Sequence, residues 1–259
     1  MIRSLYTAVS GMITQEAKQD IITNNLANAN TVGFKADNLS IRKFDDVLLE
    51  NYDKVSGGKN VKNVIGSISL GSKLDSVNTD FTQGMIQSTD KTTDFAIEGK
   101  GFFTVQRNDG NNNGQYYTRD GHFHVDMNGI LVNDSGDKVM GRNLQTNQLE
   151  PINVGSSDLV SDVSGNISVN GNKVYKLYTV DFNDYKTLKK TGDNLYQGNN
   201  PTENNALVRQ NSLEKSNINV INAMTDMITT MRSFETNQKV VQSLDETLGK
   251  LVNEVGSVR

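Results

Sequence analysis

The only two histidines of the chain stand two residues apart, in His122-Phe123-His124-Val125-Asp126. In an extended strand alternate residues share a face, so His122, His124 and Asp126 would point the same way. Two imidazoles and a carboxylate could hold a transition metal. The plainer reading is the polar face of a hairpin whose other face is Phe123, Val125 and Met127. With no third histidine to complete a set, that reading is preferred, and no metal or other cofactor is expected. Any serine triad would have to draw on one of these histidines, and no G-x-S-x-G elbow accompanies them. Gly99-Lys100-Gly101 lacks the spacing of either glycine-rich phosphate fingerprint and reads as a tight turn before a strand. Thirty Asp and Glu are spread along the chain without singling out a pair, and there is no Trp to stack a sugar. The absence of Cys removes thiolate metal sites, a Cys nucleophile and disulfides together. No catalytic residue is assigned.

The elements that surround these residues point elsewhere. Both ends of the chain carry helical stripes, and the middle carries a period of two. Residues 3 to about 29 read as one helix, with Leu5, Val9, Met12 and Ile13 on its stripe, dilution at Glu16 and Gln19, and resumption at Ile21, Ile22 and Leu26. Asn24, Asn25 and Asn28, followed by Gly33 and Phe34, form the helix exit, because Asn and Gly tolerate the left-handed backbone that ends a helix. A second long helix is predicted from about 212–217 to about 252. Val220, Met224, Met227, Met231, Phe234, Val241, Leu248 and Val252 follow a heptad-like register along it, with Ile2 and Val255 extending the two stripes outward. Such stripes need partner helices, so these positions are the candidate subunit interface. Gln238 and Asp245 interrupt the second seam, as expected of a helix whose packing partners differ along its length.

Between the ends, residues 76–190 read as an antiparallel β domain. Phe102-Phe103-Thr104-Val105-Gln106 is strand by content. Asp120-Gly121, Asn128-Gly129, Ser135-Gly136 and Asn170-Gly171 are turn signals between strands, and Asn108 to Gly114 is a loop tip. Segments 36–75 and 191–211 read as linkers, the first with a flexible turn at Gly57-Gly58 and one extended segment in which Val64, Gly66, Ile68 and Leu70 alternate. The fold class is therefore α+β: long N- and C-terminal helices, 1–35 plus 212–259, pairing as a coiled-coil-like stem, with a central antiparallel β domain.

Composition agrees with a chain that assembles. An apolar fraction of 35% and a mean hydropathy of −0.51 leave a modest core for 259 residues. A net charge of −4 with singly scattered lysines is the opposite of a nucleic-acid footprint. No run approaches the ~18 apolar residues of a membrane span, so no membrane insertion is expected. The first residues carry no Sec-type signal.

Several fragments, in order along the chain, resemble bacterial flagellar rod and hook proteins. They are Asn24-Asn25-Leu26-Ala27-Asn28 with Thr31-Val32-Gly33-Phe34-Lys35, then Asp80-Phe81-Thr82-Gln83-Gly84 and Gly99-Lys100-Gly101-Phe102-Phe103. Tyr117-Thr118-Arg119-Asp120-Gly121, Leu213-Glu214-Lys215-Ser216-Asn217 and Arg232-Ser233-Phe234-Glu235 follow. Within that family the 44–74 segment and the tail are most similar to the distal rod branch, the proximal rod and hook branches being the alternatives. The resemblance implies a non-enzymatic subunit of a helical homopolymer that transmits torque from motor to hook. It implies neighbouring rod and hook proteins, the flagellar export apparatus, bushing rings and peptidoglycan as partners. It implies an extracytoplasmic basal-body location reached without a cleaved signal. Without it, the β domain would read as a surface-exposed binding or adhesion module, and a wall-degrading enzyme would need a catalytic pair that the residues do not supply.

Overall fold

The computed structural model describes residues 2–56, 59–108, 113–155, 159–169 and 171–256. It is α+β, with one long helix at each end, α1 (Ile2–Ala27) and α2 (Val220–Gly256), and antiparallel strands between them. The expected turn at Gly57-Gly58, the tip of the 108–114 loop and Asn170 lie outside the described residues.

The chain divides into two compact units. The first contains residues 1–26, 37–78 and 220–259. Residues 36–75, read as linker, form strands instead: Asp37–Lys43 pairs with Ser72–Thr79, and Val47–Ser56 pairs with Lys59–Ile68. The signal was weak because both hairpin strands mix polar and apolar residues on the same face. Helix α1 is tied to this unit by short polar side chains. Thr7 Oγ1 donates to the Leu70 carbonyl, the Ser72 amide donates to Ser10 Oγ, and Thr14 and Ser72 share a hydroxyl contact of 3.3 Å. Asn25 then clamps the backbone of Asp37 in both directions, donating to its carbonyl at 2.8 Å and accepting from its amide at 2.9 Å.

The second unit, residues 27–36 and 79–219, is built on a 13-stranded antiparallel sheet. Its central strand Phe102–Asn108 is flanked by Lys138–Asn143 and Asn113–Thr118. Period-two alternation on this strand feeds two cores. Phe103 and Val105 enter the larger one with Phe95, Phe123, Leu131 and Ile167. Phe102 enters an aromatic one with Tyr117, Val180, Phe182 and Tyr196, against which Phe81 packs edge-on. The Asn128-Gly129 turn closes the pair Phe123–Val125 and Leu131–Asn133, with Gly129 in the left-handed region at φ 78°.

The 191–211 segment also departs from the loop reading. It holds the strands Leu195–Gln197, Thr202–Glu203 and Leu207–Gln210, and Lys189–Gly192 runs into it. Ser212–Glu214, expected at the start of the second helix, is a strand paired with Ile86–Ser88, so α2 begins only at Val220. The reason is tertiary: Glu214 has a buried task, described next.

Candidate assembly interface and its anchor

On α1, Tyr6, Val9 and Ile13 form an exposed stripe at spacings of three and four, with Tyr6 67% and Ile13 54% exposed. Leu5, Met12, Ile21 and Leu26 are half-buried, and Ile22 is buried. On α2 the predicted interface residues separate into two sets. Met227, Phe234, Val241 and Leu248, seven residues apart, are half-buried, interleaved with Ala223, Thr230, Asn237 and Leu244. Val220, Met224, Met231 and Val252 are exposed, and Met224 and Met231 join Ile221 and Ile228 in an outward stripe at spacings of three, four and three. The polar members of the half-buried face are Thr230 and Asn237, not Gln238 and Asp245, which are exposed. The face follows Met227 and Phe234, and Gln238 and Asp245 lie one position off it. Asn237 sits where the two helices approach: a Cβ on Gly11 would lie 3.0 Å from its Nδ2.

The helix-exit residues act individually. Asn24 is exposed, Asn25 clamps Asp37 as above, and Asn28 accepts from the Thr31 hydroxyl at 3.1 Å. Gly33 takes φ 65° and donates its amide to the Glu214 carbonyl at 2.7 Å. Phe34 is buried, with the Lys190 ammonium 3.8 Å above its ring. Asn194 donates to the Val32 carbonyl, and Asn217 accepts from the Ala36 amide while donating to the Asp80 carbonyl. The 31–36 segment is thus held backbone group by backbone group within the β unit.

At its centre lies an ionic cluster. Lys35, fully buried, donates to Glu214 Oε1 at 2.5 Å and to the Thr82 carbonyl at 2.7 Å. The same Glu214 oxygen accepts the Gly84 amide at 2.9 Å, and its other oxygen accepts Arg119 Nη1 at 3.2 Å. Arg119 also donates to the Gly99 carbonyl and lies over the Phe102 ring. Burial pushes the Lys35 ammonium below its ordinary range, and the Glu214 carboxylate works against that shift. Removing one partner of such a buried pair costs about 3–5 kcal/mol, because it strands the other charge. Lys35, Arg119 and Glu214 each stand in a fragment of the family resemblance, yet nothing local in the sequence joins residues so far apart.

The two histidines meet at one carboxylate, but not the expected one: His122 Nε2 and His124 Nδ1 lie 3.9 and 3.7 Å from Asp134 Oδ1, and His122 Nδ1 lies 2.9 Å from Asp94. Asp126 instead binds the amide of Met127 and the side chain of Asn128 in its own turn. Beside the histidines, burial raises the Asp120 carboxyl to about 6, the amide of His122 working the other way. The folded state therefore keeps a proton between the ordinary aspartate range and pH 6 that the unfolded chain has lost. Stability from this group is present at the acid side of that window and is lost as pH rises through it. Asp120→Asn is expected to flatten this slope and to be the more stable form at pH 7 by up to about 3 kcal/mol. Urea melts of both proteins at pH 5 and pH 7 check it.

Comparison with known proteins gives the family. Residues 5–35 match the family model described as flagella basal body rod protein. Residues 96–173 match the flagellar hook protein FlgE/F/G D1 domain, and residues 209–254 the flagellar basal body rod FlgEFG protein C-terminal model. The flagellar basal-body rod protein FlgG of Bacillus subtilis is 33% identical over 98% of this chain and 99% of its own. This chain belongs to the flagellar basal-body rod and hook protein family. The flagellar basal-body rod protein FlgF of Caulobacter vibrioides is 33% identical over the whole of both chains. The flagellar hook-basal body complex protein FlhO of Bacillus subtilis is 31% identical, also over the whole of both. As a member, the chain is a structural subunit of the flagellar rod and not an enzyme. No described helix is long and apolar enough to cross a membrane.

Proposed function

We propose that this rod subunit builds the distal rod. Its two terminal helices pair as a coiled-coil-like stem inside a helical tube. The observation that carries the assembly in this reading is the pair of exposed apolar stripes, Tyr6-Val9-Ile13 on α1 and Met224-Ile228-Met231 on α2. Exposed apolar faces of this kind mark protein contacts, and heterologous contacts that do not close generate a filament. Leu5, Met12, Met227, Phe234, Val241 and Leu248 then form the seam within the stem, while Val9, Ile13, Val220, Met224, Met231 and Val252 meet neighbouring subunits. The hairpin 47–68 exposes Val47, Leu48, Val64 and Ile65. A lone two-stranded hairpin is marginal in water, so this one also seats on a neighbour. Export through the flagellar channel without a cleaved signal, ordering of the helical ends on assembly, and passage through bushing rings and peptidoglycan complete the proposal.

Electron cryotomography of motors in cells lacking only this protein tests it. A rod that stops near its outer end, without a hook, is the expected result. A rod that stops near the inner end would move the subunit to the proximal rod, and intact rods and hooks would overturn the distal assignment.

A further inference from the structure

Glu214 occupies an unusual position in the chain's economy of contacts. Its carboxylate receives Lys35 from the segment that leads out to α1, Gly84 from the turn beneath it, and Arg119 from the central sheet. Its own backbone carbonyl receives the Gly33 amide, and it lies in the last strand before α2. Two cations, Lys35 and Arg119, are buried against this one anion. Arg119 Nε has no hydrogen-bond partner among the described residues, so the guanidinium has little to replace Glu214 with.

We propose that Glu214 is a latch that couples the two segments leading to the helices, so that 31–36 and 212–217 engage the β unit, or leave it, as one event. The physical reason is charge balance. If 212–217 leaves, Lys35 and Arg119 are left as two buried like charges without the one carboxylate that bonds both, Asp80 acting on Lys35 only through space, and this expels the segment carrying Lys35. If 31–36 leaves, the carboxylate loses its shortest donor and its backbone partner at Gly33 together. Asn217 repeats the coupling on a smaller scale, joining Ala36 to Asp80 and Thr82. The sheet needs none of this: the larger core contains no residue of either segment. The latch therefore opens without melting the β unit. This inference rests on the buried geometry and stands apart from the position of the subunit along the rod.

The test is amide hydrogen exchange on the full-length chain, comparing wild type with Glu214→Gln, Lys35→Met and the double variant. Glu214→Gln is expected to speed exchange at Gly33 and Ala36 by about a hundredfold or more, while Val105 and Val139 keep wild-type protection. Lys35→Met is expected to speed exchange at Glu214 and Lys215 although the change lies at the other end of the chain. The double variant should do no more than the larger single change, because the two residues share one interaction. Acceleration confined to the mutated segment would overturn the latch. So would loss of protection at Val105 and Val139 in step with Gly33, or full additivity in the double variant. If Glu214→Gln does not fold, Lys35→Met decides alone, since it leaves Glu214 its Arg119 and Gly84 donors.

Discussion

Replacing Gly33 with alanine is expected to weaken the docking of 31–36 on the β unit by about 2–5 kcal/mol, the sum of a left-handed backbone penalty of about 1–2 and an overpacking cost of about 1–3. The first part follows from φ 65° at this residue. The second follows from what a Cβ would meet: the carbonyl carbon of Arg119 and the amide nitrogen of Asp120, both at 2.5 Å. Those are backbone atoms of the turn that ends a central strand, so they cannot swing aside as a side chain would. The only relief is to lift the 31–36 segment, which lengthens the Gly33 amide bond to Glu214 and draws Lys35 from its carboxylate. Gly136→Ala supplies the comparison. That glycine also has positive φ, at 82°, but a Cβ there meets nothing within 4 Å, so only the backbone penalty of about 1–2 kcal/mol applies. Amide exchange at Ala36 in Gly33→Ala, set against the loss of stability in a urea melt of Gly136→Ala, measures the difference. Equal losses would mean that close approach to Arg119 plays no part.

Gly33 also shows how far this fold can be read from its residues. That a glycine follows an Asn-rich helix exit is a local signal, and it correctly announces a left-handed residue. That the glycine lies against Arg119 is a contact across the fold, and no pattern near residue 33 contains it. The same division runs through the chain. The α+β class, the two terminal helices and the Asn128-Gly129 hairpin rest on periodicity and turn chemistry, both of which act within a few residues. Of the strands at 37–79 only the alternation of Val64, Gly66 and Ile68 in Lys59–Ile68 was legible, because the others mix polar and apolar residues and so lack a clean period of two. Ser212-Leu213-Glu214 was read as the approach to a helix because Ser and Asn make good caps. It is held extended instead by pairing with Ile86–Ser88 and by the burial of Glu214 against Lys35. On α2 the apolar residues were legible but their sorting was not. Met224 and Met227 are equally apolar, and only the positions of Thr230 and Asn237 on the half-buried face reveal which of the two belongs to the seam.

That sorting sets up the second large effect: Val241→Asp is expected to abolish rod assembly while leaving the β unit folded. Val241 is half-buried on the same face as Phe234 and Leu248, one heptad from each. The buried and half-buried residues on that face of α2 include no cation to meet an aspartate. Because the helical ends order on assembly in this proposal, the seam closes as each subunit joins. Closing it on a polar group without a partner costs about 2 kcal/mol or more, which lowers the equilibrium constant for each subunit addition roughly thirtyfold. Because a rod grows by repeating that step, the loss is applied at every subunit, and elongation fails well before the stem itself melts. The β unit should not register the change, since neither of its cores contains a residue of α2. Ser243→Asp carries the same charge two residues along, on the polar face shared with Asn222, Thr229 and Thr236, where all four are exposed. It is expected to assemble normally. Cells carrying each variant, viewed by cryotomography, should show truncated rods for the first and complete ones for the second, with the purified proteins sharing one β-unit melting temperature. Complete rods with Val241→Asp would remove Val241 from the interface, and failure of both variants would mean that net charge on α2, and not its position, governs assembly.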